Sequence, residues 1–479
     1  MPGLQSTPHC NKKGKSTKHK MISVLRTRFH PQLVRKARQQ LVCVMSIHTH
    51  GVGLVNDFAT DEFYTTKLDF NSASQLLGDP RIVWDAVEKD ANHAGISCDA
   101  YLTNIEAAVW AYVKSGEICD RATMLNLGVN KVLNKGEGNF GLLLGGKSSG
   151  KSLILNHLTQ ERRKKHEDSI LYIDARRSGA DLMTGIVQAL TPKDWQWLKS
   201  LFGFAEVAAN HFVPGSGRII AAGNKLLTVS PDVTPVALIK AFVDKHNKNG
   251  ITPCIIIDEA NLALPDDDRE AQKQTKDVLE LFTKLTKQEK KMNVLLATSE
   301  HAEPHRLRQL GFNTSNFTEK ILAGEIPPKH ILDLLIRLGV GNNLATWLVG
   351  VYGGHLWTVY QAVSALETYK QTFEPMQVLP NISSSVAMCL EDEQRNVDGT
   401  KGTREILQQL AETGFAPLEH DLDPRAKRLT MSLDNIAGTV SMSSVTVGIP
   451  PQLWGNSRSG LIPATQFARL IIADTLIRM

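Results

Sequence analysis

The chain has 479 residues, 42% of them hydrophobic and 22% charged. That length holds about two to four domains, and the balance excludes a wholly disordered chain or a coiled-coil rod. No run of about 18 apolar residues occurs, so the sequence carries no transmembrane helix. The six cysteines (Cys10, Cys43, Cys98, Cys119, Cys254 and Cys389) form no CxxC pair, which excludes a zinc ribbon and favours a reducing compartment over a disulfide scaffold.

Charge is unevenly spread. The net charge is +5, yet the first acidic residue is Asp57, and ten Lys or Arg precede it. From Asp57 onward 44 basic residues face 49 acidic ones, a net −5. Residues 1–56 are therefore a basic extension on an acidic body. Their lysine cluster (NKKGKSTKHK) fits a nuclear signal or a nucleic-acid patch, and the acid-free, Arg-rich text from Met21 fits a mitochondrial address. A solvated, disordered tail in a cytoplasmic protein fits as well. No membrane span is expected.

Residues 57–138 carry amphipathic stretches at 82–87 and 105–113 and no chemical motif, which predicts a helical lead-in packed on the next domain. From 139 to 325 apolar strands at 140–144, 169–173, 254–257 and 293–298 alternate with helices at 152–165, 192–204, 236–248 and 268–288. That alternation predicts a parallel sheet covered on both faces, interrupted by a glycine-rich insert at 214–224. Helices at 331–339, 344–352 and 355–368 form a helical unit over 326–373, and 374–402 reads as a linker. In 403–479 a helix at 403–413, a hairpin of 436–442 with 445–447 and a closing helix at 465–478 suggest a winged-helix-like α+β domain.

Residues 145–152, GGKSSGKS, match G-x-x-x-x-G-K-[ST] between an apolar strand and a helix. Small residues (Gly145, Gly146, Lys147 as the exception, Ser148, Ser149, Gly150) let successive backbone N–H groups face phosphate oxygens, and the helix start adds its positive end. Lys151 is expected at the β- and γ-phosphates and the Ser152 hydroxyl on Mg²⁺. In CIIIDEAN, 107 residues after Lys151, Asp258 ends an apolar strand where it can hold Mg²⁺. Glu259 follows where it can accept a proton from an attacking water.

The strand 293–298 ends in Thr298 and Ser299, expected beside the γ-phosphate to orient water, or as strand-end caps. Glu300 and His301 are conspicuous without an assigned task. Arg306 and Arg308 are candidates for a finger reaching a neighbouring subunit's nucleotide, or for a solvated surface; Arg176 and Arg177 share that choice. In YGGHLW a double glycine stops one helix and starts another, and His355 at this corner is a candidate lid contact with phosphate or a helix cap.

The motifs GGKSSGKS, IIIDEAN, VLLATSEH, ILAGEIPP and YGGHLW together resemble the P-loop ATPases of the AAA+ and STAND groups, closest to the archaeal-ATPase-like branch. A weaker similarity is to ATPase domains found near Crinkler-type proteins. The resemblance implies a sheet with an extra strand, a helical lid and a winged helix, and the binding and hydrolysis of ATP with Mg²⁺. A conformational switch or remodelling ATPase acting on a protein partner or on itself is the first expectation. A nucleic-acid-associated ATPase and a nonhydrolytic interaction module are the alternatives. A GTPase is disfavoured because no Asn-Lys-x-Asp sequence is present.

Overall fold

The computed structural model describes residues 77–115, 129–133, 138–165, 169–178, 182–190, 194, 234–264, 269–299, 303–323, 325–379, 381–395, 397, 401–418, 429, 437–441, 459–463 and 466–479. The basic extension, the insert at 214–224, Glu300, His301, strand 445–447 and nearly all of helix 192–204 lie outside the described residues.

Five strands, β1 (Phe140–Gly145), β2 (Ile170–Asp174), β3 (Cys254–Asp258), β4 (Asn293–Thr298) and β5 (Glu319–Ala323), form one parallel sheet in the order β2-β3-β4-β1-β5. The extra strand is β4, inserted between β1 and β3. β1, β3 and β4 are buried at every position, which is what helix-covered parallel strands require. Their side chains alternate between two cores. Ile255, Ile257 and Leu296 face one, with Phe242, Leu279 and Phe282. Cys254, Ile256 and Leu295 face the other, with Ile154 and Leu155. Each fully buried Ile or Leu contributes roughly 1.5–3 kcal/mol, so this double-sided burial fixes the strand register.

The helices of this domain are α1 (Pro80–Ala94) and α2 (Cys98–Ser115) ahead of the sheet, then α3 (Lys151–Lys165), α4 (Leu182–Ala189), α5 (Pro235–Lys248), α6 (Arg269–Thr283) and α7 (Glu303–Gln309). Sequence periodicity reads 268–288 as one helix. In the structure its last turn, Lys284–Gln288, is a π-turn. Phe140, at the foot of β1, meets Phe282, Phe312 and Phe317 at centroid distances of 5.9, 5.8 and 4.8 Å. Each such edge-to-face pair is worth about 0.5–1.5 kcal/mol, and together they anchor the strand whose other end carries GGKSSGKS.

Three further helices, α8 (Pro328–Arg337), α9 (Asn342–Tyr352) and α10 (Leu356–Tyr369), follow β5. Within the lead-in, α2 lies along α10 and α1 along α9, while Val129, Val132 and Leu133 pack into the sheet's core as the sequence suggested. Buried Asp90 of α1 accepts from the Leu344 N–H at 2.8 Å and the Asn343 amide at 2.7 Å, capping the start of α9 from 253 residues away. The Tyr101 hydroxyl accepts from the Gly341 N–H at 2.7 Å, and burial pushes its pKa up to about 12. Trp110 stacks on Tyr360 at 4.8 Å. These are long-range contacts between single side chains, invisible to a reading of local pattern.

The span 374–402 is a second correction. It contains α11 (Asn381–Gln394), whose Ile382, Val386, Cys389 and Leu390 are buried at helical spacing. The serines at 383–385 and the acidic end of the helix disguise that stripe as linker. Beyond it come α12 (Thr403–Thr413), β6 (Ala416–Leu418), β7 (Ala437–Ser441), β8 (Ser459–Pro463) and α13 (Gln466–Arg478). The three strands form an antiparallel sheet in the order β6-β8-β7. Among the described residues β7 pairs with β8; the other expected hairpin segment, 445–447, lies outside them. Residues Gln466 to Thr475 of α13 are all buried, so this helix is the centre of the unit, held between α11, α12 and α9.

Candidate functional site

The site lies at the carboxyl ends of the parallel strands, where open α/β sheets place their ligands. GGKSSGKS connects β1 to α3. A Cβ on Gly145 would stand 2.6 Å from Ala323 Cβ of β5, so only glycine fits where the loop leaves the sheet. Ser148 and Gly150 take positive φ, 60° and 83°, which turns the loop's N–H groups into a concave nest ahead of the first turn of α3. Lys151 is buried; its ammonium donates to the carbonyls of Gly145 (2.7 Å) and Gly146 (3.0 Å). It is held beneath the loop, facing the position an anion would share with the helix N-terminus.

Asp258 and Glu259 end β3. Asp258 is 1% exposed, with Oδ2 accepting from the Tyr172 hydroxyl at 2.8 Å and Oδ1 buried with no hydrogen-bond partner. Burial, followed by the charge of Asp258, raises the Tyr172 pKa far above its ordinary value. Glu259 adopts φ 57°, ψ 55°, left-handed for a non-glycine residue, and starts the short helix Ala260–Ala263. Such a conformation costs about 1–3 kcal/mol and persists only where the surroundings impose it. Here the carboxylate is pinned on both oxygens. The Ser299 hydroxyl donates to Oε2 at 2.7 Å, and the Arg176 guanidinium lies 2.9 Å from Oε1. Arg176 also donates to the Ser152 hydroxyl at 3.0 Å, so one guanidinium spans the ends of α3 and β3.

The lid corner closes the other side. His355 caps α10, its Nδ1 accepting from the Thr358 N–H at 3.3 Å. Its Nε2 lies 2.9 Å from the Lys147 carbonyl; a carbonyl only accepts, so Nε2 carries the proton. The corner itself is tight: a Cβ on Gly354 would meet the Ile326 carbonyl at 1.7 Å. The Glu325 carboxylate accepts the Gly354 N–H at 3.1 Å and the Gln466 N–H at 3.0 Å, tying the corner to the start of α13.

A cleft of about 320 Å³ between these parts is lined by Lys151, Ser152, Arg176 and Glu259 together with Tyr112, Val113 and Trp357. A larger hollow, about 640 Å³ between α5 and α6, contains none of these residues.

Sequence reasoning anticipated the loop, Glu259 and His355, which line this cleft, and Asp258, which ends β3 beside Glu259 and is itself buried behind the lining residues. Ser299 joins them through Glu259. Thr298 does not reach the cleft; its hydroxyl donates to Asn261 Oδ1 at 2.9 Å and braces the turn after β3. Arg306 is no free finger. Its guanidinium forms a fork on buried Glu303 (2.8 and 2.7 Å) and donates to the Leu264 carbonyl at 2.7 Å, inside its own domain. Arg308 donates to Thr314 at 3.1 Å. Neither Tyr172 nor the contribution of α2 is legible in local sequence, because both depend on tertiary placement; Arg176 stood in plain view as one of two adjacent arginines.

Residues 118–309 match the model of an ATPase domain found predominantly in Archaea. The matched residues include the phosphate loop, Asp258 and Glu259, so this part of the chain is similar to that ATPase domain. No curated protein matches the chain. Among solved structures, the Walker-type ATPase PABY2304 of Pyrococcus abyssi is similar at 14% identity and TM-score 0.40, covering 74% of this chain and 94% of that one. The Aeropyrum pernix ORC2 protein is similar at 11% identity and TM-score 0.35, covering 75% and 93%. Cdc6p of Pyrobaculum aerophilum is similar at 12% identity and TM-score 0.32, covering 74% and 93%. Among the described residues, no helix is long and apolar enough to cross a membrane.

Proposed function

We propose that the chain binds ATP with Mg²⁺ in this cleft and hydrolyses it, using the lid corner to carry the nucleotide state to the C-terminal unit. The observation that supports this most is the bare, buried Oδ1 of Asp258 near a P-loop whose lysine and serine are in place. The donor set fits Mg²⁺, which binds through one or two protein oxygens and takes the rest from phosphate and water. Asp258 and Ser152 would hold it, and it would neutralise charge on the β- and γ-phosphates. Lys151 and the loop N–H groups bind the phosphates; Tyr112, Val113 and Trp357 offer an apolar wall to the base. Glu259 orients and deprotonates the attacking water once Arg176 releases it, with Ser299 keeping its second oxygen fixed. Arg176, freed from Ser152 and Glu259, is then a cation at the edge of the phosphate site.

The switch reading rests on continuity. The Lys147 carbonyl, His355, the Gly353–Gly354 corner, Glu325 and Gln466 form one hydrogen-bonded path from the phosphate loop to α13. A STAND-like switch that engages a protein partner or a second copy of itself suits that path. Lys151→Ala tests the site. Losing a charge-assisted bond to phosphate should weaken ATP binding about 10- to 100-fold in calorimetry with Mg²⁺ present. Unchanged affinity would mean that nucleotide binds elsewhere.

A nucleic-acid-associated ATPase is the second reading. It is favoured by the winged-helix-like order of β6, β8 and β7 with α12, and by the ten Lys or Arg ahead of Asp57. It expects binding to duplex DNA that falls steeply with salt, and faster ATP turnover when DNA is added. Equal turnover with and without DNA, and no binding at low salt, would remove it.

A further inference from the structure

The two oxygens of Asp258 are treated unequally. Oδ2 is occupied by the Tyr172 hydroxyl at 2.8 Å, while Oδ1 is buried and bare. A carboxylate oxygen left unpaired in the interior is expensive, so a structure that keeps one holds it for a partner. The placement of Tyr172 is specific. It stands on β2 level with Ile256, and Asp174, two residues on, stands level with Asp258. Tyr172 is therefore the diagonal neighbour of Asp258, a separation of roughly 7–8 Å that only a long side chain crosses. Its ring packs against the cluster under α3, the helix that begins with Lys151 and Ser152. A carboxylate only accepts, so the phenol must donate. Phenylalanine would fill the same space among Ile170, Ile256 and Leu155; the hydroxyl has work only at Asp258.

We infer that Tyr172 is a positioning residue that occupies Oδ2 of Asp258 and so fixes Oδ1 as the oxygen offered to the divalent cation of a bound nucleotide. The inference rests on reading Asp258 as a metal ligand. Hydrogen bonds of this kind orient ligating carboxylates, and their removal typically costs about 10–100-fold in metal affinity. Without the hydroxyl, the carboxylate can rotate about its last bond and present either oxygen, or turn to another donor.

The test measures ATP affinity by calorimetry in EDTA and across a Mg²⁺ titration, for wild type, Tyr172→Phe and Asp258→Asn, with melting temperatures to compare their folding. Tyr172→Phe is expected to bind ATP in EDTA as the wild type does and to need about tenfold more Mg²⁺ for half of the metal-dependent gain. An unchanged Mg²⁺ requirement overturns the inference. So does a loss of affinity that is the same with and without metal, which would make Tyr172 a packing residue. Asp258→Asn reports on the underlying reading separately: if it keeps the wild-type Mg²⁺ response, Asp258 is not a metal ligand, whatever Tyr172 does.

Discussion

Glu259→Gln is expected to reduce ATP turnover by about 10²–10⁴-fold, the usual contribution of a positioned general base, while ATP affinity is retained. The amide is a close fit to the carboxylate's surroundings. Its oxygen can face Arg176, and its NH₂ can donate to the Ser299 hydroxyl, which accepts as readily as it donates. The left-handed backbone at Glu259 is no harder for glutamine than for glutamate. What the variant loses is the ability to take a proton. Steady-state phosphate release beside calorimetric ATP binding separates the two quantities. Turnover that survives the substitution would move the base elsewhere and make the pairing of Glu259 with Arg176 a structural contact. Turnover absent from the wild type as well, with tight binding in both, would favour a nucleotide-held interaction module.

The parts of this site that were legible in the sequence are those that one strand and its following loop carry alone. GGKSSGKS and CIIIDEAN are local statements: apolar residues that must be buried on both sides, then residues whose chemistry suits a strand tip. The lid corner was legible too, since two glycines before a helix leave few conformations. Thr298 and Arg306 went differently because their surroundings compete. Thr298 ends a strand, but Asn261 lies close enough to take its hydroxyl. Arg306 sits three residues after Glu303, and the i,i+3 fork on a buried carboxylate holds it more firmly than any solvent-facing role could. Tyr172 was hidden for the opposite reason. In SILYID it reads as one more apolar strand residue, and only the register of β2 against β3 shows what its hydroxyl reaches. The helices that α1 and α2 pack against were not legible, because helix periodicity tells which face is buried and not against what. Asp90 capping α9 is a single contact across the length of the chain.

Arg469→Ala is expected to destabilise the C-terminal unit by about 3–5 kcal/mol, as removal of a buried, fully engaged charge does. Arg469 is 0% exposed in the first turn of α13. Its guanidinium donates to the carbonyls of Ala411 (3.0 Å) and Glu412 (2.9 Å), the last turn of α12. Those carbonyls have no partner within their own helix, and a cation there also meets the negative end of the helix dipole. Truncation leaves both carbonyls in the interior beside a cavity the size of the side chain. Arg469→Lys should recover only part of the loss, because one ammonium cannot reproduce a planar fork on two acceptors. Hydrogen exchange at α12 and β6 is the measurement that resolves the effect within a chain of several units, where one melting curve would blend them. Faster exchange confined to that unit, with ATP affinity retained, is the expected pair of results, since the cleft takes no lining residue from beyond α10. Loss of ATP affinity alongside would mean that α13 supports the lid corner through Glu325 and Gln466, and through Tyr352 against Phe467 at 4.8 Å, strongly enough to hold the nucleotide site open or closed. Unchanged exchange in Arg469→Ala would show that α12 ends without need of the guanidinium, and that the C-terminal unit is held by its apolar packing around α13 alone.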